Sequence, residues 1–284
     1  MDKLILTLNV SDSSFHLLYL LSNSHVIMYF EQPSIYLLGI RIDEPVTTLT
    51  DLMVAFVCFY AFYKLNKIDV KNKVHLYLKY YFLSMGVATT IGGIIGHGFL
   101  YLFDTQWNVP EEFIRVLENI FGNELLKDVA NPWKLPGWLT SMFSIALVER
   151  ASIEYARPLI NKKIGTTFAW INIIELLIFV TITFLSLNFF FVEIHSAYGL
   201  LIVVTGFNLV VFIKTRKKGS KLFLIAVGFS ALGALFFMNE WGLSPWFNHF
   251  DISHIFMTLS ALYFLKGSRE ILDDPVLPRI TKEL

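Results

Sequence analysis

Seven stretches of about 20 apolar residues recur along this chain, at 46–65, 76–103, 135–152, 166–187, 192–213, 221–238 and 247–265. Each is long enough to cross about 30 Å of hydrocarbon as an α-helix, an element that satisfies its backbone N–H and C=O groups within itself. The pattern therefore points to an all-α membrane protein, a seven-transmembrane-helix bundle. Composition agrees, with 55% apolar and 16% charged residues, where a soluble domain carries roughly 25% charged. So much of the 284-residue length is taken by spans that one domain is expected: an outer-face segment over 1–45, the transmembrane domain over 46–267, and a cytoplasmic tail over 268–284. Between spans stand the expected breaks: the lysine-rich stretch 67–73, Pro132 and Pro136, Arg157 with Pro158, the stretch 214–220, and Ser244 with Pro245.

Charge placement gives the orientation. Lys and Arg residues crowd the loops at 64–73, 150–163 and 214–218 and the end of the last span, whereas Lys3, Arg41, Arg115, Lys127 and Lys134 fall on the opposite side. By the positive-inside rule the crowded side is cytoplasmic, which puts the N-terminus outside and the C-terminus inside. Trp107, Trp133, Trp138, Trp241 and Trp246 fall near the outer side, as an interfacial belt does. Equal totals of 23 basic and 23 acidic residues leave no basic footprint for nucleic acid. The single cysteine, Cys58, excludes an internal disulfide and a multi-thiolate metal site.

Two segments outside the spans have their own pattern. The run 15–21 is too short to cross, and the region lacks the basic start and small-residue cleavage site of a signal peptide, so 1–45 is read as lying on the outer face. The loop 104–132 carries a helix signal over about 109–122. Asn108 with Glu111 fits an N-cap pair, Pro110 suits the first turn, Phe113, Val116, Leu117, Ile120 and Phe121 recur at helical spacing, and Gly122 is a stop. This helix reads either as lying in the outer interface or as a lid over a site beneath it.

A charge in hydrocarbon costs on the order of 3 kcal/mol or more, so polar residues inside spans need a reason. Asp51 lies about five residues into the first span, His97 about six before the end of the second, and His254 about seven into the seventh; at 1.5 Å per residue all three sit roughly 8 to 10 Å below the outer side. Glu44, Asp104, Asn239, Glu240, His249 and Asp251 are near the same mouth. Imidazoles and carboxylates at one depth suit Zn²⁺ with an open position for water, and Asp251 and His254, three apart, share a helix face. The plainer alternatives are hydrogen bonds between helices for the histidines, and a place at the positive dipole end of the first helix for Glu44 and Asp51. Glu175 stands near mid-membrane with Asn172 or Asn208 as a partner, in a functional or a structural role, and Glu149 with Arg150 reads as an interfacial ion pair.

The seven spans, His97 near the end of the second, and D-I-S-H ending at His254 resemble the superfamily of alkaline ceramidases and adiponectin receptors. That resemblance implies a zinc ion held by His97 and His254, and a lipid amide or ester as substrate. The chain departs from the superfamily pattern at Phe250, four before His254, at Gly93, four before His97, and in lacking an Asp at the opening of the third helix. His249 or Asp251 is then the expected remaining ligand, and Asp51 or Glu44 the expected general base. E-P-V-T-T-L-T-D at 44–51, G-H-G-F at 96–99 and N-H-F-D-I-S-H at 248–254 more closely resemble bacterial seven-helix integral membrane proteins, which implies a bacterial inner membrane. Lys266, at the cytoplasmic end of the last span, disfavours a microbial rhodopsin, and no phosphate-binding glycine motif is present. Two function classes remain: a zinc-dependent hydrolase of membrane lipids, or a non-enzymatic receptor, solute binder or assembly subunit whose polar layer locks helices 1, 2 and 7.

Overall fold

The computed structural model describes residues 5–8, 17–22, 25–29, 32–70, 72–103, 111–122 and 130–276. From residue 45 onward the described chain is helical. Five helices are long and apolar enough to cross a membrane: α1 (Pro45–Asn66); Lys73–Gly98; α5 (Lys162–Ser186); Phe190–Thr215; and α8 (Lys218–Met238). Lys73–Gly98 is α2 (Lys73–Ile91) running on into a π-helical segment, Gly92–Gly98. Phe190–Thr215 is α6 (Phe190–Ala197), a π-helical segment Tyr198–Val204, and α7 (Thr205–Thr215). Two further helices, α4 (Leu135–Ala156, 22 residues) and α9 (His249–Asp273, 25 residues), carry more polar side chains and bury more of their length.

Helix ends follow local chemistry. Pro45 opens α1, where its missing N–H costs nothing. Asn72 caps α2 by accepting from the N–H of His75, and Asn161 caps α5 by accepting from that of Lys163. At α9, Asn248 and Asp251 form a reciprocal capping box. The lid-or-interface helix is α3 (Glu111–Phe121), closed by Gly122 at φ 90°; Asn108 and Pro110 lie outside the described residues. Leu117 of α3 packs against Phe191, while Val116 and Ile120 are exposed.

The helices close a ring. α1 packs between α2 and α9, α2 on α4, α4 on α5 and on the α6–α7 rod, α7 on α8, and α8 on α9. At the end holding the α1 C-terminus the core is apolar and aromatic: Phe264 meets the edge of Tyr81 at 5.6 Å and of Phe223 at 4.9 Å, with Leu65, Leu78 and Leu272 around them. Outward faces are apolar too, as in Leu49, Phe56, Trp170, Leu177 and Ile202, which is how a helix surface looks when its medium is hydrocarbon. Before α1 run three antiparallel strands, β1 (Ile5–Leu8), β2 (Leu17–Ser22) and β3 (His25–Tyr29), and a hairpin of β4 (Ile35–Leu37) and β5 (Ile40–Ile42). That hairpin turns through Leu38 and Gly39, both at positive φ. The short run 15–21 thus falls mostly in β2, with residues 15 and 16 outside the described part.

Candidate functional site

The start of α1 is held from two sides. Glu44 precedes Pro45 with φ 41°, a left-handed conformation that costs a side-chain residue about 1–2 kcal/mol, and it turns the carboxylate toward the π-helical segment. Gln32 caps the helix from a distance: its Oε1 accepts from Val46 N–H at 2.9 Å and Thr47 N–H at 3.1 Å. Its Nε2 donates to Asp251 Oδ2 and to the Trp246 carbonyl, each at 3.2 Å. One carboxamide therefore joins the chain before α1 to the openings of α1 and α9.

The π-helical segment, G-G-I-I-G-H-G, comes unusually close to α1. A Cβ at Gly93 would lie 2.8 Å from Asp51 Cβ and 3.1 Å from the Thr48 carbonyl, so only glycine permits the approach. It brings His97 over the first turns of α1. His97 Nδ1 donates to Glu44 Oε2 at 2.7 Å, and its Nε2 faces Asp51 Oδ2 at 3.9 Å. From α9, His254 points Nε2 at Asp51 Oδ1 at 3.3 Å and Nδ1 at Thr50 Oγ1 at 3.0 Å. The Thr50 hydroxyl also lies 3.3 Å from Asp251 Oδ1. Asp51 and His254 are buried, whereas the side chains of His97 and Glu44 are 13% and 35% exposed, so the layer reaches water on the Glu44 side. Burial raises the Glu44 carboxyl, but the hydrogen bond from His97 and its charge outweigh this and hold it below the usual carboxylate range.

The expected residues thus meet in part. Asp51, His97, His254 and Glu44 converge, with Asp51 between the two imidazoles. Asp251 joins through Thr50, but it spends its other oxygen on the Asn248 N–H at 2.7 Å and on Gln32. His249 stacks on Phe250 at 4.3 Å and against Phe237 at 5.7 Å, with aromatic rather than ligand neighbours. The ring centroids of His97 and His254 are 6.4 Å apart, with Phe250 packed against His97.

A second polar group lies deeper in the ring. Glu149 on α4, Glu175 on α5 and His195 on α6 bring one ligand atom each within 4.8 Å of one another, and the three can hold a metal ion. His195 Nδ1 is 2.8 Å from Glu175 Oε2, and its Nε2 is 3.0 Å from the Met142 carbonyl. Asn172 donates to Glu149 Oε2 at 3.2 Å and to the Ala146 carbonyl at 3.1 Å. Glu149 is therefore not an interfacial partner of Arg150. It is fully buried and turned into the ring, while Arg150 donates to the Ala169 carbonyl. The cause is helical phase, since successive residues on a helix point about 100° apart, and only one of the two can face inward.

Along residues 46–273 the chain matches the model of a family of unknown function, DUF6962. The chain belongs to that family. No curated protein and no solved structure matches it. The DUF6962 region contains Asp51, His97, Asp251, His254 and the whole inner group, and begins just after Gln32 and Glu44.

Gln32 and His195 were not legible as site residues. Gln32 sits in a short connection with no periodicity, and nothing local announces a contact more than 200 positions away. His195 did carry a signal, an ionisable side chain about four residues inside the fifth apolar stretch, which by the rule applied to His97 and His254 also called for a partner.

Proposed function

We propose that this chain crosses a bacterial inner membrane seven times, N-terminus outside, and is a zinc-dependent hydrolase of a lipid amide or ester, acting at its outer mouth. One observation carries the reading: two imidazoles from different helices aim Nε2 at the same carboxylate, Asp51, while each Nδ1 is engaged, by Glu44 in one case and Thr50 in the other. Orientation of an imidazole through its second nitrogen is the usual support of a ligating histidine. Because a carboxylate accepts and does not donate, Glu44 holds a proton on His97 Nδ1, and when the imidazole is neutral its lone pair is on Nε2, toward Asp51. Two ligands at about 2.0–2.1 Å from one tetrahedral ion stand about 3.3 Å apart. His254 Nε2 has that spacing from Asp51 Oδ1 at 3.3 Å, and His97 Nε2 stands 3.9 Å from the other oxygen, Oδ2. This favours Asp51 as a ligand and leaves Glu44 as the base; His249 has no part, and Asp251 positions Thr50.

A zinc ion bound there supplies a water with pKa near 7 and polarises a carbonyl. The protein's own share follows from placement. Glu44, the most exposed acid of the layer, would accept the proton of the attacking water and return it to the leaving nitrogen or oxygen. Thr50 and Asp251 hold His254 in register. The family resemblance to ceramidases points to a lipid amide or ester as substrate.

Two of the seven spans, α4 and α9, are the less apolar helices, as expected where a helix lends polar side chains to the interior. The test is hydrolysis of fluorogenic lipid amides and esters by purified protein together with bound zinc. His254→Ala should abolish turnover and lower zinc by one equivalent per chain. Unchanged zinc in His254→Ala, with no turnover by the wild type, rejects the hydrolase and leaves a hydrogen-bonded lock among α1, the π-helical segment and α9, each bond worth about 1 kcal/mol.

A further inference from the structure

Three helices that take no part in the outer layer meet at the inner group, and its hydrogen bonding is incomplete in a way that specifies what is missing. The Met142 carbonyl has no proton to give, so His195 must carry its proton on Nε2 to make the 3.0 Å contact. Nδ1 is then a lone pair, yet it stands 2.8 Å from Glu175 Oε2, which is also an acceptor. Two acceptors at that distance require a proton or a cation to bind them. Glu149 Oε1 and Glu175 Oε1 are both buried without any hydrogen-bond partner, although Glu149 is fully buried and Glu175 only 8% exposed. Among the described residues the one ion-pair partner of these carboxylates is His195.

Charge and the unpartnered atoms together favour a cation. With neutral imidazole the group carries two negative charges, and cancelling them takes either two protons or one divalent cation. A divalent cation cancels both and gives Nδ1 and the two orphaned oxygens a common partner. Imidazole together with carboxylates suits zinc, manganese or iron better than magnesium or calcium. The surroundings fit as well: the Met142 carbonyl orients His195, and Asn172 fixes Glu149 through the oxygen that is not orphaned. Gly199, at the head of the second π-helical segment, presses on the same atom, since a Cβ there would lie 2.4 Å from Glu149 Oε1 and 2.5 Å from Ile145. A larger residue would fill the place beside the carboxylate.

We propose that Glu149, Glu175 and His195 form a second, closed site for a divalent transition-metal cation, which ties α4, α5 and α6 together. Glu149 and His195 are fully buried and Glu175 is 8% exposed, and the group has no member as open as Glu44 of the outer layer, 35% exposed; a catalytic metal keeps an open position, whereas a structural one is enclosed. The proposal stands whether or not the outer layer hydrolyses lipids.

The experiment uses full-length His254→Ala protein in detergent, so that the outer layer does not contribute metal. After incubation with Zn²⁺ or Mn²⁺ and removal of excess, this variant should retain one equivalent per chain by elemental analysis, and a strong chelator should lower its Tm. Adding Glu175→Gln or, separately, Glu149→Gln should remove the equivalent and make Tm insensitive to both metal and chelator. The two isosteric changes guard against one variant failing to fold. No metal in His254→Ala, or an equivalent that survives in either glutamine variant, overturns the proposal. So does a Tm that chelator leaves unchanged; the two carboxyls then share protons, and Glu→Gln should leave Tm unchanged or higher.

Discussion

At the residue scale, the outer layer depends as much on what is absent as on what is present. His97 reaches Asp51 because Gly93 lets two backbones approach to a separation that no side chain tolerates. Gly93→Ala should therefore act as an overpacking change against a backbone carbonyl and a Cβ, neither of which can swing aside. The expected destabilisation is about 1–3 kcal/mol, seen as a lower Tm in detergent, together with loss of the outer zinc equivalent. A variant that melts like the wild type would show that the two backbones can part without cost. Of this layer the sequence disclosed Asp51, His97 and His254, because an ionisable residue in an apolar stretch is conspicuous and its depth can be counted from the ends of the stretch, and Glu44 and Asp251 as neighbours at the same mouth. It did not disclose roles. Whether Asp51 is a base or a ligand depends on which atoms of His97 and His254 face it, and that is set by Glu44 and Thr50, whose own positions follow from the left-handed turn at Glu44 and the phase of α1.

At the element scale, α9 shows how local chemistry and the site are joined. Asn248 accepts from the N–H groups of Phe250 and Asp251, and the Asp251 carboxylate accepts from the Asn248 N–H, so one capping box both starts the helix and fixes the carboxylate that touches Thr50. Asn248→Ala should cost about 0.5–2 kcal/mol of stability. Since Asp251 would lose its anchor, it should also lower hydrolysis more than an equally destabilising change at the far end of α9; equal losses would show that the cap is only structural. Apolar runs located the long helices, five of them long and apolar enough to cross a membrane, because hydrophobic length is additive and local, but the stretch 247–265 missed the more polar end of α9, which runs to Asp273. The same reading did not see two π-helical segments, Gly92–Gly98 and Tyr198–Val204, since an added residue in a turn changes the phase of a helix but not its composition. Both segments stand beside a polar group, and the altered phase is what aims His97 and admits Glu149.

For the molecule as a whole, the proposed orientation puts the loop between α7 and α8 in the cytoplasm. A cysteine placed at Lys217 in a Cys58→Ala background should resist an impermeant thiol reagent applied to intact cells and react after permeabilisation. Reaction from outside would reverse the topology and move the outer layer to the cytoplasmic face. The closed ring of helices also has a history in time. Its seam joins α9 to α1, the last described helix to the first, and the outer layer draws Gln32, Glu44 and Asp51 from one side of that seam and Asp251 and His254 from the other. The inner group is drawn wholly from α4, α5 and α6. As the chain leaves the ribosome N-terminal end first, the three central helices can engage one another while α9 is still being made. Until α9 arrives, Asp51 and Thr50 lack His254 and Asp251, so synthesis leaves the outer layer to be completed last.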